Sequence, residues 1–181
     1  MKKLSFISTI AFAFAILLSS NVNAQDFPKM DPSPMDVASF PNDYRVANKL
    51  VKIAYSRPQL KGRDIAKLAP NGKVWRTGAN ESAEITFYVD MKLGGKTIKA
   101  GTYSFATIPG EKEWTIIINS ELNAWGAYFY KEANDVARLN VPVTAASDSL
   151  EEFAMVFTEA DNGVHLNMGW GTVRVAVPFT K

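Results

Sequence analysis

The chain has 181 residues, 47% of them hydrophobic, with 20 lysines and arginines against 18 aspartates and glutamates, and no cysteine. The absence of cysteine excludes disulfides, thiol nucleophiles, zinc ribbons and iron–sulfur clusters. Lys2 and Lys3 carry the whole positive excess, since 20 − 2 leaves 18 basic residues against 18 acidic ones, so nothing beyond them offers an electrostatic footprint for nucleic acid or anionic lipid.

In chain order, Lys2 and Lys3 precede a nearly unbroken apolar run from Phe6 to Leu18, and Val22-Asn23-Ala24 closes it on a small residue. Basic start, apolar middle and small-residue exit form the grammar of a secretory signal, and roughly 13 apolar residues fall short of the about 20 that span a bilayer. The expectation is a signal peptide over residues 1–24, leaving 181 − 24 = 157 mature residues in the periplasm or outside the cell, part of a bacterial cell envelope. No cysteine is present to carry a lipid, so no stable membrane anchor is expected after cleavage.

Residues 25–48 contain Pro28, Pro32, Pro34 and Pro41 and predict an extended, poorly ordered or surface-hugging lead-in. The single domain is expected over 49–181. There the apolar spacing turns to period two: Val51, Ile53, Tyr55; Ile85, Phe87, Val89, Met91; Tyr103, Phe105; Trp114, Ile116, Ile118. Near the C-terminus, Phe153-Met155-Phe157, Val164 to Trp170 and Val173 to Phe179 predict three further strands, with Gly169 to Gly171 read as a turn. Phe153 to Thr158 is apolar on both faces and reads as central. Gly94-Gly95, Pro109-Gly110 and Asp161-Asn162-Gly163 are tight turns. Helical turns are expected only at Arg63–Leu68 and Ser120–Tyr130. The fold class is all-β, an antiparallel β-sandwich or small barrel of about eight strands.

Common catalytic chemistries find little purchase. His165 is the single histidine, which argues against a metal site and against a Ser-His-Asp triad, and no Gly-x-Ser-x-Gly elbow exists. No nucleotide-binding glycine pattern opens a helix. No cofactor or metal is expected, and the sequence leaves the oligomeric state open.

Polar and aromatic residues gather in two stretches. One runs from Tyr55-Ser56-Arg57-Pro58 through Val74-Trp75-Arg76-Thr77-Gly78-Ala79-Asn80-Glu81, the other from Asn119 to Arg138 with Trp125, Tyr128 and Tyr130 in a loop. Arg57 lies at a strand end in core register, where it reaches the rim of the sheet. For a small polar ligand, Trp75, Trp125 and Tyr128 would stack and Arg57, Arg76, Asn80 and Glu81 would hydrogen-bond. The competing reading is structural: arginine–carboxylate pairs, Arg57 or Arg76 with Glu81, Glu84 or Asp135, would staple loops to the scaffold.

These same residues carry a family resemblance. Tyr55-Ser56-Arg57-Pro58, Lys61-Gly62-Arg63, Val74 to Glu81, Gly101-Thr102-Tyr103-Ser104, Ile108-Pro109-Gly110, Glu113 to Ile116 and Trp125-Gly126-Ala127-Tyr128 together resemble domain of unknown function 2911, a family of exported bacterial proteins. The likeness spans roughly Arg45 to Phe179. It implies export and a compact domain, and it assigns no reaction to any residue.

Three functions follow as expectations. The first is a binding domain for a small polar ligand, a glycan or cell-wall fragment. The second is a carboxylate-dependent hydrolase using Glu81. The third is a structural or interaction module without a small-molecule site. The sequence leans towards binding rather than catalysis.

Overall fold

The computed structural model describes residues 25–181, so the expected signal over 1–24 lies outside the described residues. From Asp31 onward the chain forms one compact unit. Its nine strands are β1 (Met35–Phe40), β2 (Val51–Ser56), β3 (Ala83–Phe87), β4 (Met91–Leu93), β5 (Lys96–Ile98), β6 (Gly101–Ile108), β7 (Glu113–Asn119), β8 (Asp135–Ala160) and β9 (Gly163–Thr180). All pair antiparallel, in the order β1-β2-β3-β6-β7-β8-β9-β4-β5. The all-β expectation holds, with nine strands rather than about eight. A four-residue helix, α1 (Ile65–Leu68), is capped by the Asp64 carboxylate on the amide of Ala66, and one 3-10 turn covers Glu132–Asn134.

The sheet has to fold over on itself. β3 and β4 are five places apart in the strand order, yet only Tyr88, Val89 and Asp90 join them. In a flat sheet five spacings make about 24 Å, whereas the step from Phe87 to Met91 reaches at most about 14 Å. Packing the two halves of the sheet face to face brings the ends within that reach. Phe87 on β3 accordingly meets Phe179 on β9, ring centroids 5.2 Å apart.

The fold-over falls within β8 and β9. The three C-terminal strands expected from the pattern are in fact two long ones, because β9 runs unbroken through Gly169–Gly171. Between the pairs Ala145↔Val173 and Leu150↔Gly171, β8 advances five residues and β9 two; between Leu150↔Gly171 and Ala154↔Gly169 the steps are four and two. Extra residues on one strand are bulges, which bend a ladder without ending it. Gly171 sits at φ +52 at this bend, a conformation glycine adopts without steric cost.

The lead-in is only partly a lead-in. Met35–Phe40 pairs along its whole length with β2 as an edge strand, and Arg57 ties it down. The Arg57 guanidinium meets the Asp36 carboxylate at 3.2 Å and donates from Nε to the Phe153 carbonyl at 3.0 Å. Tyr55 spans the same seam: its hydroxyl oxygen accepts from the Met155 amide at 2.8 Å. Burial pushes that phenol up from its ordinary value.

Between the two halves lies one apolar core containing Ile53, Ile85, Phe105, Ile116, Phe153, Leu166 and Val177. At its centre Trp75 stacks on Trp170 (5.6 Å, 9° between planes) and meets Trp114 and Phe153 edge-on. The strand buried on both faces is not Phe153–Thr158, where Val156 is 50% exposed. It is β7, where Ile116, Ile117, Ile118 and Asn119 are all buried. Ile117, Ala106 and Ala79 are buried but stand outside the main core, so something covers the outer face of β6 and β7.

Replacing Tyr55 by Phe tests the seam. It leaves the buried Met155 amide without its acceptor while changing little volume, so a loss of about 1–3 kcal/mol is expected in urea denaturation. A change below about 0.5 kcal/mol, the usual scatter of neutral surface changes, would mean that the seam does not need this bond.

Candidate functional site

The cover on the outer face of β6 and β7 is made by the two stretches that the sequence singles out. Trp75 pairs with Thr107 of β6 through both backbone bonds. Successive side chains on an extended segment point to opposite faces. With Trp75 in the core, Arg76 is therefore delivered to the outer face, beside Val74, Ser104, Ala106 and Asn119. Thr77 and Asn80 then adopt φ +54 and +61 as the chain turns back, and the Ala83 amide donates to the Arg76 carbonyl.

The second stretch closes over this turn. The Ser82 amide donates to Ala124, the Gly126 amide to Asn80, and the Ser82 hydroxyl to the Gly126 carbonyl at 2.6 Å. Glu81 bridges Trp125 in backbone register, and Glu84 caps the loop by accepting from the Asn123 amide. Ser120–Tyr130 is thus a strapped loop and not the helical segment expected. Gly126 has φ +66, and a Cβ there would meet the Tyr128 ring at 2.8 Å and Arg76 Nη1 at 3.6 Å. The left-handed backbone and the Tyr128 ring, not the arginine, are what favour glycine here.

A polar network anchors the base of the loop. Asp135 is nearly buried; one of its oxygens accepts from Asn119 Nδ2 at 2.7 Å, and the other accepts from the Tyr130 hydroxyl at 2.8 Å and from Arg138. Arg138 also donates to the Tyr130 oxygen and pairs with Glu132. Asn119 donates to the Lys131 carbonyl and accepts from the Glu121 amide, while Asn134 holds the Glu121 carboxylate. Partial burial of the Tyr130 phenol, helped by the Asp135 carboxylate that accepts its proton, pushes it up to about 12.

What remains between strap and sheet is a small recess lined by Arg76, Ser82, Ser104, Asn119, Glu121 and Tyr130. Its volume is about 20 Å³, room for a single water. Every one of these polar side chains except Arg76 has a hydrogen-bond partner within the protein. Arg76 Nε is shielded from solvent and, among the described residues, is the one buried side-chain polar atom without a partner. The other five arginines, 45, 57, 63, 138 and 174, all donate to protein acceptors.

The expected site residues therefore divide. Arg76, Asn80, Glu81, Trp125 and Tyr128 come together at the strap. Trp125 and Tyr128 stand out from it, 55% and 79% exposed. Arg57 lies elsewhere, engaged with Asp36, a partner that was not among the three carboxylates expected. Trp75, expected to stack on a ligand, is 6% exposed with its ring surrounded by Trp114, Phe153 and Trp170. Glu81 is exposed. Tyr130, one of the three loop aromatics the sequence singled out, lines the recess, whereas Ser82, Ser104 and Asn119 were not among the expected site residues. One signal marked two of them: small or polar residues alternate with core residues on β6 and β7, the pattern of an outer face that needs covering.

The fold and this strapped recess define an all-β domain with a covered polar site on its outer face. Residues 33–179 match the family model described as protein of unknown function (DUF2911), and the chain belongs to that family. No curated protein and no solved structure matches the chain.

The loop anchor has a pH signature. A phenol held at about 12 in the fold against an ordinary value near 10 favours the protonated form. Its contribution to stability is full below pH 10 and is lost as pH rises through 12. One tyrosine absorbance step near pH 12 is expected, returning towards the ordinary range in Asp135→Asn. The same variant should lose about 1–3 kcal/mol, because it disturbs acceptors shared by three donors. Normal titration of every tyrosine in the native protein would contradict the network.

Proposed function

We propose that this chain is an exported binding domain for a small polar ligand, of the glycan or cell-wall-fragment type, taken up where the strap meets Arg76. Export rests on the Lys2 to Ala24 pattern. Binding rests on one observation above all: a guanidinium with a solvent-shielded Nε and no partner, in a recess whose other polar groups are already engaged. A buried donor left without an acceptor costs about 1–3 kcal/mol, and a ligand acceptor would recover it.

The surroundings suit this role. Trp125 and Tyr128 are exposed on the strap, and the Tyr128 ring lies against Gly126 beside Arg76. Rings of this kind stack on sugar rings and planar ligands while their polar tips stay in water. The strap is held at its base by the Asp135 network, so these side chains are carried on an ordered support rather than a free loop.

The test is a thermal-shift screen of the full chain against glycans, cell-wall fragments and common metabolites. A true ligand at a hundred times its dissociation constant adds about 2.7 kcal/mol, which for a chain of this size raises Tm by about 5–10 °C. Arg76→Gln and Trp125→Ala should fold and lose that shift. If nothing in the screen raises Tm and both variants fail to fold, Arg76 and Trp125 are structural and the proposal is lost.

A further inference from the structure

The shape and chemistry of the recess point further, to the class of ligand. Resting on the binding reading above, we infer that the ligand is an acidic ring: a carboxylate that enters the recess to meet Arg76, attached to a sugar-type ring that stays outside against Trp125 and Tyr128.

The size of the recess divides the ligand in two. About 20 Å³ admits a group no larger than a water molecule, such as a carboxylate oxygen, and excludes a ring. A ring must remain outside, where the Tyr128 ring lies against Gly126 beside Arg76 and where Trp125, the residue before Gly126, is exposed. The entering group is then selected by what the recess lacks. The Ser82 hydroxyl donates to Gly126, the Ser104 hydroxyl to Asn119, Asn119 to Lys131 and Asp135, and Tyr130 to Asp135. Arg76 supplies the remaining free donors, and a guanidinium has no acceptor to offer. The missing partner is therefore an acceptor, and a carboxylate oxygen forms the stronger, charge-assisted bond with a guanidinium N–H.

Carboxylates of the protein do not fill the role. Glu121 lines the recess but is held by Asn134, Glu84 caps the strap, and Asp135 is engaged three times over. None forms an ion pair with Arg76, and no ion pair of Arg76 occurs among the described residues. The Glu121 charge opposes an incoming anion, which makes the comparison of an acidic with a neutral sugar the decisive one.

D-glucuronate, D-glucose and acetate are titrated separately into the full chain while nitrogen-15 NMR follows the Arg76 Nε–H and the Trp125 indole N–H. Arg76→Lys and Trp125→Ala assign the two signals. D-glucuronate should move both along one saturating curve, with D-glucose binding about tenfold more weakly through Trp125 alone, since charge-assisted bonds are roughly twice as strong as neutral ones. Arg76→Lys should lower the glucuronate affinity towards that of glucose while the buried Trp75, Trp114 and Trp170 indole signals stay in place. Equal affinity for the two sugars, with Arg76 Nε–H unmoved, overturns the acidic class and leaves ligand binding standing. Acetate matching glucuronate overturns the ring. If none of the three moves either signal, the acidic ring is overturned, while the binding reading is lost separately, by a null thermal-shift screen together with the failure of both its variants to fold.

Discussion

The stacking of Trp75 on Trp170 joins a segment paired to β6 with a strand from the other half of the sheet. Around that pair, Trp114 comes from β7, Phe153 from β8 and, one ring further, Tyr55 from β2. Five elements separated by up to 115 residues of chain (170 − 55) thus share one aromatic cluster. Each aromatic pair adds about 0.5–1.5 kcal/mol beyond its area burial, and the pairs of Trp75 with Trp170 and with Phe153 join the two halves of the sheet. With no cysteine available, no disulfide shares that task.

The site is a consequence of the same residue. Because Trp75 faces inward, its neighbour Arg76 has to face outward, over β6 and β7. Because the outer face of these strands carries Ala106 and Ile117, water must be kept from it, and the strap from Ser120 to Lys131 does so. Covering the apolar patch brings backbone and aromatic side chains over the arginine as well. The recess is what remains when an apolar patch and a cation are roofed by one loop.

The strands were legible because their burial alternates. Val51, Ile53 and Tyr55 are buried beside half-buried or exposed neighbours, and the glycine and proline turns fall where the spacing breaks. The continuity of β8 and β9 was not legible, since a bulge opposite glycine looks locally like a turn. β1 was hidden by its prolines, which flank the strand at positions 32, 34 and 41 and leave Met35–Phe40 free to pair. The two exposed loop aromatics were found from composition alone. Trp75 was misplaced because a tryptophan beside an arginine reads the same whether it faces a ligand or the core, and only the pairing with Thr107 decides.

Arg57 and Arg76 share a charge and a setting at the rim of a strand, and the sequence offered stapling or binding for both. What separates them is the supply of acceptors. Arg57 lies at the fold-over seam, where the edge strand brings Asp36 and the bent β8 turns the Phe153 carbonyl towards it. Arg76 lies over β6 and β7, where the local carboxylates are drawn off to cap loops and to hold Asn134, Tyr130 and Arg138. One arginine is therefore consumed by the fold and the other left with unused donors. On the proposed reading, stapling and binding are not alternatives: the first, carried out by Arg57 and the Asp135 network, fixes the frame within which Arg76 would bind.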